Sequence, residues 1–400
     1  MYFNFKGFFR VIWLSLFHWQ RTGVPMTWRK RVFLIGFFII YPLVEITNAI
    51  CFRLDWILFP SLWRTKVQRP VFIVGSPRSG TTRMHRLLAL DQENFFCFKT
   101  WEIFFPSLLQ KRFVAGLGAV DRLLGSPLMK AIRRRQERRF REFNKIHRLD
   151  LFAPEEDDKI HAHIFSFLGL MWFLPFREVF DQYEDFDRLL PQKDQARVMR
   201  YYRECIRRQA CFRGGGNRQY LAKSPYSSLR VRSLFAAFPD CAVIALVRNP
   251  LEVLPSGMSI AMAAVGPLGL FPNLETMRAT MCHCIRLIYQ NVVSALDSAD
   301  PHTYRWVQFT ELTSQPARTV EEIYAHFGWP MSESFRTRLV AEDKNARGHR
   351  SENAYSLDQY GLDSNQITTE YRDIFDRFGF PRIPVSAGDA DVSAVRQAPA

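Results

Sequence analysis

The feature that most constrains the fold is a glycine-rich turn between a short apolar strand and a helix. The segment PVFIVGSPRSGTT (residues 70–82) is followed by Met84, Leu87 and Leu88, which share one helical face. In a turn of this kind, backbone amides and the positive end of the helix dipole hold phosphate oxygens. The segment therefore predicts a phosphate-binding loop in a fold of alternating strands and helices.

The cation of this loop stands at an unusual position. The spacing is that of a P-loop, yet the place of the Walker lysine is taken by Thr81, and Arg78 lies inside the loop. This difference argues against an ordinary ATPase, in which the lysine contacts the β and γ phosphates beside Mg²⁺. A P-loop kinase or NTPase with an altered loop stays open as an alternative.

The same order of strand and helix recurs along the chain. The predicted elements are strands at 219–223, 241–247 and 304–309, and helices around 227–238, after Pro250 and from about 316 to 327. Strands that alternate with helices predict an α/β fold, a P-loop-like parallel sheet flanked by helices on both faces.

Composition supports a globular, basic protein of 400 residues. It has 48% hydrophobic residues and a formal net charge of +15, which excludes disordered, collagen-like and low-complexity chains and favours anionic ligands. The seven cysteines are scattered without a CxxC pair, so they predict neither a disulfide framework nor a zinc site and favour a reducing compartment.

Two motifs resemble a known family. The loop PRSGTT (77–82) resembles the 5′-phosphosulfate loop of sulfotransferases that use 3′-phosphoadenosine-5′-phosphosulfate (PAPS). The stretch VRNPLEVLPSG (247–257) is similar to that family's 3′-phosphate motif, which places Arg248 and Ser256 on the phosphate. A guanidinium fork and a hydroxyl on the first turns of a helix suit a dianionic phosphate.

Other segments resemble the bacterial branch that is similar to the tyrosylprotein sulfotransferases. They are Trp101-Glu102, predicted at a strand end, HRLDLFAPEED (147–157), AKSP (222–225), and Gly348-His349 within a looser closing motif. The resemblance covers about residues 68 to 380. It implies a sulfotransferase domain over residues 66–384, and the composition of residues 385–400 predicts a flexible tail.

The resemblance also implies a reaction and its residues. A sulfuryl group would pass in one in-line step from PAPS to an acceptor hydroxyl, without a metal. Arg78 and Lys223 would meet the charge on the bridging oxygen, and Glu102 would be the general base. The implied cofactor-binding residues are Ser76, Pro77, Arg78, Ser79, Gly80, Thr81, Thr82, Arg248, Ser256, Gly348 and His349.

The general base has rivals within the sequence. Glu102 could instead cap a helix or pair with an arginine, and His147, His161 and His163 are other candidate bases. The two histidines at 161 and 163 lack a third ligand at recognisable spacing, so no metal site is predicted. The acidic residues 155–158 either line the acceptor pocket or sit at a helix N-terminus, where negative charge is favourable.

The first 65 residues form an aromatic and apolar segment that we expect to contact a membrane. Residues 1–20 combine Phe, Trp and Leu with two basic residues, which is typical of an interfacial amphipathic helix. The apolar run 32–52 is long enough to cross a bilayer, but it contains Pro42, Glu45 and Asn48. Because a carboxylate at mid-bilayer costs about 2.5–3.5 kcal/mol, a span, an interfacial helix and a helix packed on the catalytic domain all stay open.

The basic run 130–148 carries Phe140, Phe143 and Ile146 at helical spacing. It predicts one amphipathic helix whose basic face is either solvated or set against anionic lipid; nucleic acid is not an expected partner. The leading function is therefore a sulfotransferase for a hydroxyl of a hydrophobic or membrane-resident acceptor, with its active site on the cytoplasmic face of a membrane. A catalytically inactive, membrane-anchored scaffold on the same fold is the remaining alternative.

Overall fold

A five-stranded parallel sheet forms the centre of the protein. The computed structural model describes residues 1–140, 150–265, 273–347 and 356–382. The strand order is β2–β3–β1–β4–β5, and every paired strand is parallel. The strands are β1 (Val71–Gly75), β2 (Phe95–Phe96), β3 (Gln219–Lys223), β4 (Ala242–Val247) and β5 (Tyr304–Gln308). This confirms the predicted parallel sheet and its four longer strands, whereas the two-residue β2 carried too short a pattern to be predicted.

Both faces of the sheet are buried. In β1, Phe72 and Val74 belong to one hydrophobic cluster, and Val71 and Ile73 belong to the cluster on the opposite face. Since side chains alternate along a strand, a strand covered on both sides must be apolar at every position. The carboxyl ends of β1, β3 and β4 meet at one edge, which brings the glycine-rich loop together with the segments that follow Lys223 and Val247.

Helices cover the sheet and precede it in the chain. The α-helices are α1 (Phe5–Phe17), α2 (Trp28–Leu58), α3 (Ser61–Arg64), α4 (Thr81–Leu88), α5 (Thr100–Phe104), α6 (Leu108–Leu123), α7 (Pro127–Phe140), α8 (Arg177–Phe180), α9 (Phe186–Leu189), α10 (Gln192–Arg213), α11 (Val231–Ala237), α12 (Pro250–Val265), α13 (Leu274–Leu296), α14 (Phe309–Ser314), α15 (Pro316–Phe327), α16 (Glu333–Arg347), α17 (Ser364–Glu370) and α18 (Arg372–Phe378). Short 3-10 helices lie between them at Trp19–Thr22, Asp157–Ile164, Leu168–Trp172, Asp181–Tyr183, Pro225–Leu229, Pro301–Thr303 and Asp358–Tyr360.

The predicted helices at 81, 250 and 316 begin where local chemistry favours them. Gly80 adopts the left-handed conformation before α4, and proline occupies the first position of α12 and of α15, where its missing N–H is not needed. The predicted helix at 227–238 is divided in the structure, because a 3-10 turn at Pro225–Leu229 precedes the short α11.

The amino-terminal helices share the core of the domain. Val11 and Leu14 of α1 are fully buried in the same cluster as strand residues of the sheet. The backbone N–H of Asn4 donates to the carbonyl of Ile164 at 3.0 Å, and its side-chain amide donates to the hydroxyl of Tyr183 at 3.0 Å. The amino-terminal helices therefore pack on the part of the chain that contains the sheet and share its core.

Helix α2 is long and apolar enough to cross a membrane by length and composition, and only 17% of its most apolar window is buried. The predicted tail at 385–400, the basic residues beyond 140, His147, Gly348 and His349 lie outside the described residues.

Candidate active site

The glycine-rich loop has the backbone of a phosphate cradle. Gly75 has φ +142°, and a Cβ there would lie 2.4 Å from the carbonyl oxygen of Leu246 on β4. Gly80 has φ +91° and begins α4. Between them Arg78 takes φ 70°, a conformation that costs a residue with a side chain about 1 kcal/mol or more. Only glycine fits against β4 at position 75, so the turn can begin directly beside that strand.

Several hydroxyls in the loop maintain its shape. The buried Ser79 donates from Oγ to the carbonyl of Ser76 at 2.7 Å, and Ser228 accepts from the backbone N–H of Gly75 at 2.8 Å. Ser76 in turn lies 3.5 Å from the hydroxyl of Tyr289. Pro77 is half-buried in the same turn. The N–H groups of the first turn of α4 have no intrahelical acceptor by geometry, so they stay available to an anion.

Lys223, the last residue of β3, joins this loop to the acidic stretch. Its Nζ donates to Thr82 Oγ1 at 3.2 Å and to Glu156 Oε1 at 2.8 Å. The lysine side chain is 2% exposed, whereas Glu156 is 23% exposed. One ammonium group therefore contacts both the first turn of α4 and a carboxylate that solvent or a substrate can reach.

The loop 77–82 and the motif 247–257, which resemble the two nucleotide-binding motifs of the family, are in direct contact. Arg78 Nε donates to Ser256 Oγ of α12 at 2.8 Å. In return, Arg248 Nη1 donates to the carbonyl oxygen of Arg78 at 3.0 Å. These contacts join residues separated by 178 and 170 positions in the sequence. The structure thus brings the predicted residues of the 5′ loop and the 3′ motif into one site.

The guanidinium of Arg248 makes two further contacts. Its Nε and Nη2 donate to Glu252 at 2.8 and 2.7 Å, and its central carbon lies 3.9 Å from the ring centre of Phe309. The backbone carbonyl oxygen of Arg248 accepts from the Tyr289 hydroxyl. A guanidinium oriented in this way is prepared for an anion, although the carboxylate of Glu252 must then share it.

Glu102 lies away from this group of contacts, in α5 and not at a strand end. Its side chain is fully buried and accepts hydrogen bonds from the backbone N–H of Lys99 at 2.7 Å and from Gln209 at 2.8 Å. It also forms an ion pair with Arg213. Glu102 therefore caps a helix and pairs with an arginine, which is the alternative role that the sequence offered for it. The environment argues against the predicted general base, because both carboxylate oxygens are occupied and none is exposed.

The four acidic residues at 155–158 have different partners. Only Glu156 faces Lys223; Glu155 pairs with Lys159 at 3.1 Å. Asp157 is buried and accepts from the hydroxyls of Tyr202 and Tyr220. Asp158 pairs with Arg230 at 2.7 Å and with His161 at 3.2 Å. Three of the four therefore stabilise the domain, and one belongs to the site.

Burial changes the pKa of several of these groups. Desolvation raises the pKa of Asp157 to about 6, against the opposing hydrogen bonds from two tyrosines. Desolvation and the charge of Arg230 lower the pKa of His161. Desolvation acts to lower the pKa of His163, but its contacts with Glu45 and the carbonyl of Ile103 have the larger combined effect. The net result is a raised pKa. Neither histidine contacts the glycine-rich loop, and both serve the packing of the 3-10 helix 157–164.

A further buried histidine lies under the loop. His85 of α4 is 1% exposed, and its Nε2 has no hydrogen-bond partner. Burial, with the nearby charge of Lys223, lowers its pKa to about 3. The imidazole is therefore neutral at physiological pH. Across the described parts of the chain, no group of three or more His, Cys, Asp or Glu side chains is placed to hold a metal ion.

Comparison with known proteins agrees with this geometry. A family model described as "Sulfotransferase family" matches residues 70–333, about two thirds of the chain. The chain belongs to the sulfotransferase family. The matched region begins at β1 and ends at the first residue of α16, so it contains the loop, Glu156, Lys223 and Arg248. The enzyme is accordingly a sulfotransferase, and its parallel sheet with flanking helices is the fold of that family.

Several mycobacterial proteins are similar to this sulfotransferase. The omega-hydroxy-beta-dihydromenaquinone-9 sulfotransferase Stf3 of Mycobacterium bovis is 23% identical over 340 residues, which cover 78% of this chain and 76% of the relative. The Mycobacterium tuberculosis protein of the same name matches equally. Among solved structures, sulfotransferase STF9 from Mycobacterium avium superposes with a TM-score of 0.64 at 20% identity, covering 81% of this chain and 80% of that one. STF1 from M. tuberculosis H37Rv gives 0.63 at 18%, covering 82% and 83%.

Sequence reasoning missed Tyr289, Phe309 and Glu252 as neighbours of the site. Tyr289 lies in the middle of α13 and Phe309 at the start of α14, and nothing in their local patterns points to Arg248. Glu252 stands four residues after Arg248, a helical spacing that predicts an ion pair. That signal was available in the sequence.

Proposed function

We propose that this sulfotransferase uses PAPS and transfers the sulfuryl group to a hydroxyl of a hydrophobic, lipid-like acceptor. The observation that carries the proposal is the position of Lys223, whose ammonium group contacts Thr82 of the loop and Glu156 together. This contact supports the proposal, because a cation, the first turn of a helix and a carboxylate lie within hydrogen-bonding distance of one another.

The residues present fit the chemistry of PAPS. Arg78, Arg248 and Lys223 supply three cations, and Thr82 and Ser256 supply hydroxyl donors around a turn too tight at Gly75 for a Cβ. When bound, PAPS supplies the sulfuryl group and leaves as adenosine 3′,5′-bisphosphate. Arg248 and Ser256 would hold the 3′-phosphate, and the amides of the loop with Thr81 and Thr82 would hold the 5′ end.

Glu156, in place of Glu102, takes the role of general base in this proposal. Glu156 is partly exposed and lies 2.8 Å from Lys223, so an acceptor hydroxyl can reach it beside the loop. Lys223 would then meet the negative charge that develops on the leaving oxygen, and Arg78 would hold the loop on α12 through Ser256. No metal is part of the proposal.

The surroundings of Glu156 favour an apolar acceptor. Tyr226 lies three residues after Lys223 and is contacted by Trp172, whose indole N–H donates to its hydroxyl at 2.9 Å, and by the ring of Phe167. Phe173, in the same segment, lies against Phe33 of α2. Burial, with the charge of Glu156 among the smaller causes, raises the pKa of Tyr226, so this tyrosine lies near the proposed base. Its aromatic contacts suit a long apolar alcohol, and the name of the Stf3 relatives gives an omega-hydroxylated menaquinone as their acceptor.

We also place the enzyme on the cytoplasmic face of a membrane. All seven cysteines are free thiols in the structure, as expected for a reducing compartment. The basic residues at 29–31 lie in the first turn of α2 and suit the anionic cytoplasmic leaflet.

The first test is calorimetry of adenosine 3′,5′-bisphosphate against the full chain, against Arg248→Ala and against Arg318→Ala. Arg318 is an exposed arginine of α15 that pairs with Glu322 far along the chain from both motifs, so it controls for the loss of one positive charge. We expect wild type and Arg318→Ala to bind alike and Arg248→Ala to bind at least tenfold more weakly. Equal binding by all three would contradict the assigned 3′-phosphate site.

The second test measures transfer of labelled sulfate from PAPS to an omega-hydroxylated isoprenoid quinone and to a water-soluble phenol. The proposal expects preference for the quinone. Nucleotide binding without transfer to either acceptor class would instead favour the inactive scaffold, and Mg²⁺-dependent turnover of ATP would favour a kinase or NTPase.

A further inference from the structure

An apolar surface covers three amino-terminal helices. On α2 the exposed residues follow helical spacing at Val32, Ile35, Ile39, Leu43, Ile46, Ile50, Leu54 and Ile57, each between 37% and 76% exposed. On α6 and its C-cap residue the series is Phe113, Leu117, Val120 and Leu124, and on α1 it is Phe5, Phe9, Trp13 and Leu16, all between 49% and 72% exposed. Apolar stripes of this extent are not left to water by a monomeric soluble protein.

The opposite stripe of α2 is polar and belongs to the domain. Glu45 lies 2.9 Å from His163, and Asn48 accepts from Gln110 of α6 at 2.7 Å. Asp55 pairs with the fully buried Arg208 at 2.7 Å. Glu45 and Asn48, two of the three residues that made a membrane span doubtful in the sequence, are therefore among the residues that fix α2 to the protein.

Asp55 also joins α2 to α6. Its two carboxylate oxygens accept from the backbone N–H groups of Leu108 and Leu109 at 2.9 and 2.8 Å, so it caps the first turn of α6. Arg112 of α6 stacks on Phe59 at the end of α2, 4.9 Å from the ring centre. The two helices are packed neighbours, so we take their exposed apolar stripes together as one surface, which we call the α2–α6 face.

The attachment of α2 to the domain leaves no length for a crossing. Its buried residues extend from Leu34 to Asp55, which is about 30 Å of helix at 1.5 Å per residue. The hydrocarbon core of a bilayer is also about 30 Å thick. A transmembrane α2 would therefore draw the domain into the hydrocarbon, whereas a helix that lies in the plane of one leaflet keeps all of these contacts.

The charge around the face selects its partner. In residues 1–66 the acidic side chains are Glu45 and Asp55, and both are buried. In residues 108–138 Asp121 is buried and Glu137 is exposed. Exposed basic residues flank the apolar stripes at Arg29, Arg31, Arg64, Lys66, Arg112, Arg122, Lys130, Arg133, Arg134, Arg135 and Arg138. A second copy of the chain would bring like charges together, but an anionic lipid surface complements them at about 1 kcal/mol per basic residue.

We infer that the α2–α6 face docks the enzyme in the plane of one leaflet of an anionic membrane, with α6 inserted beside α2 and no segment of α2 crossing. The docking is independent of the acceptor. The docked helix is also connected to the active site. α2 contacts the 3-10 helix 157–164 through Glu45 and His163, and this helix follows Glu156 directly.

The test is flotation of the full chain with vesicles of phosphatidylcholine, with and without phosphatidylglycerol. The informative variant is Leu117→Glu combined with Leu124→Glu, which alters α6 and leaves α2 intact. The matched control is Leu189→Glu combined with Leu274→Glu, two exposed leucines on other helices, 59% and 42% exposed. Calorimetry with adenosine 3′,5′-bisphosphate checks that both variants are folded, and no turnover is needed.

We expect anionic lipid to raise the vesicle-bound fraction of wild type at least tenfold. The bound fraction of the α6 variant should be at least tenfold lower than that of wild type, and the control variant should bind like wild type. Unchanged binding by the folded α6 variant would overturn the inference, because α2 alone would then hold the protein. If wild type does not bind vesicles but forms a dimer, and the α6 variant is a monomer, the inference is overturned and the face binds a second copy of the chain. Since flotation uses no acceptor, its failure is distinct from failure of the proposed catalytic function.

Discussion

Two glutamates from neighbouring motifs have opposite surroundings in this enzyme. Glu102 is fully buried beneath α10 and shared among a backbone N–H, an amide and a guanidinium. Glu156 lies at the carboxyl edge of the sheet, partly exposed, beside Lys223 and the phosphate loop. The comparison shows that a carboxylate's chemistry follows from what surrounds it. A buried group whose two oxygens both accept hydrogen bonds stabilises structure, and a group that solvent reaches can accept a proton.

The largest expected effect comes from Glu156→Gln. The amide keeps the shape of the side chain but cannot accept the proton of the acceptor hydroxyl, so kcat should fall by about 10²–10⁴-fold. Calorimetry should show adenosine 3′,5′-bisphosphate binding within a few-fold of wild type. Single-turnover transfer of labelled sulfate measures the chemical step; wild-type rates in this variant would break the assignment of the base.

Glu102→Gln should affect stability and leave chemistry in place. The glutamine keeps an acceptor for Lys99 and Gln209 but loses the charge opposite Arg213, whose side chain is 29% exposed. Removing one charged partner from such contacts costs about 1.5–3 kcal/mol of unfolding free energy. Urea unfolding gives this value, and kcat of the folded fraction should match wild type; a stable variant with lost turnover would return the base to Glu102.

A third carboxylate sharpens the comparison through pH. Asp157 is buried, and its pKa is raised to about 6 from an ordinary 3.8, so ionisation is harder in the folded state than in the unfolded one. Its contribution to stability is complete below the ordinary pKa and is lost as pH rises through 6. Between pH 5 and pH 7.5 wild type should lose about 1 kcal/mol more than Asp157→Asn, roughly 2 °C in Tm.

Thermal unfolding of both proteins at the two pH values measures that difference. Asp157 Oδ1 has no hydrogen-bond partner, so the amide introduced by asparagine adds a cost that does not depend on pH and leaves the slope as the readout. Parallel pH curves for the two proteins would show that Asp157 is not the titrating group.

The smallest expected effect concerns Glu252, an exposed carboxylate at the site. It shares Arg248 with the proposed 3′-phosphate, at 2.7 Å and 39% side-chain exposure. Exposed ion pairs contribute about 0–1 kcal/mol, so Glu252→Gln should tighten adenosine 3′,5′-bisphosphate binding by up to about fivefold. Calorimetry compares it with Glu322→Gln on α15; weaker binding would mean that Glu252 orients Arg248 for the nucleotide.

The sequence contained the sheet and the loop because their signals are local. The phosphate loop is predicted from an apolar run of five residues followed directly by Gly75 and Arg78. Each of these signals indicates the backbone conformation at its own position in the chain. The functions of Glu102 and Glu156 could not be separated in this way. Their partners Arg213 and Lys223 lie 111 and 67 residues away, and the packing of α10 and β3 decides which carboxylate each cation reaches.

The amino-terminal segment shows the same limit. Hydropathy predicts a membrane helix at α2, in which Glu45 and Asn48 are unfavourable polar residues. Their partners His163 and Gln110 are distant in sequence, so only the folded structure shows that these polar residues face the domain. The exposed stripe of α6 gave no signal at all, because its apolar residues are interspersed with glycine and arginine.

The ion pair between Asp55 and Arg208 has a consequence for synthesis of the chain. The two residues are 153 positions apart, which at about 5–20 residues per second is a delay of roughly 8–30 s between them on the ribosome. During that time Asp55 lacks its guanidinium partner, and for about the first third of it α6, which begins 53 positions after Asp55, has not been made either. The newly made amino-terminus therefore meets the membrane, or a chaperone, well before the catalytic domain exists to receive it.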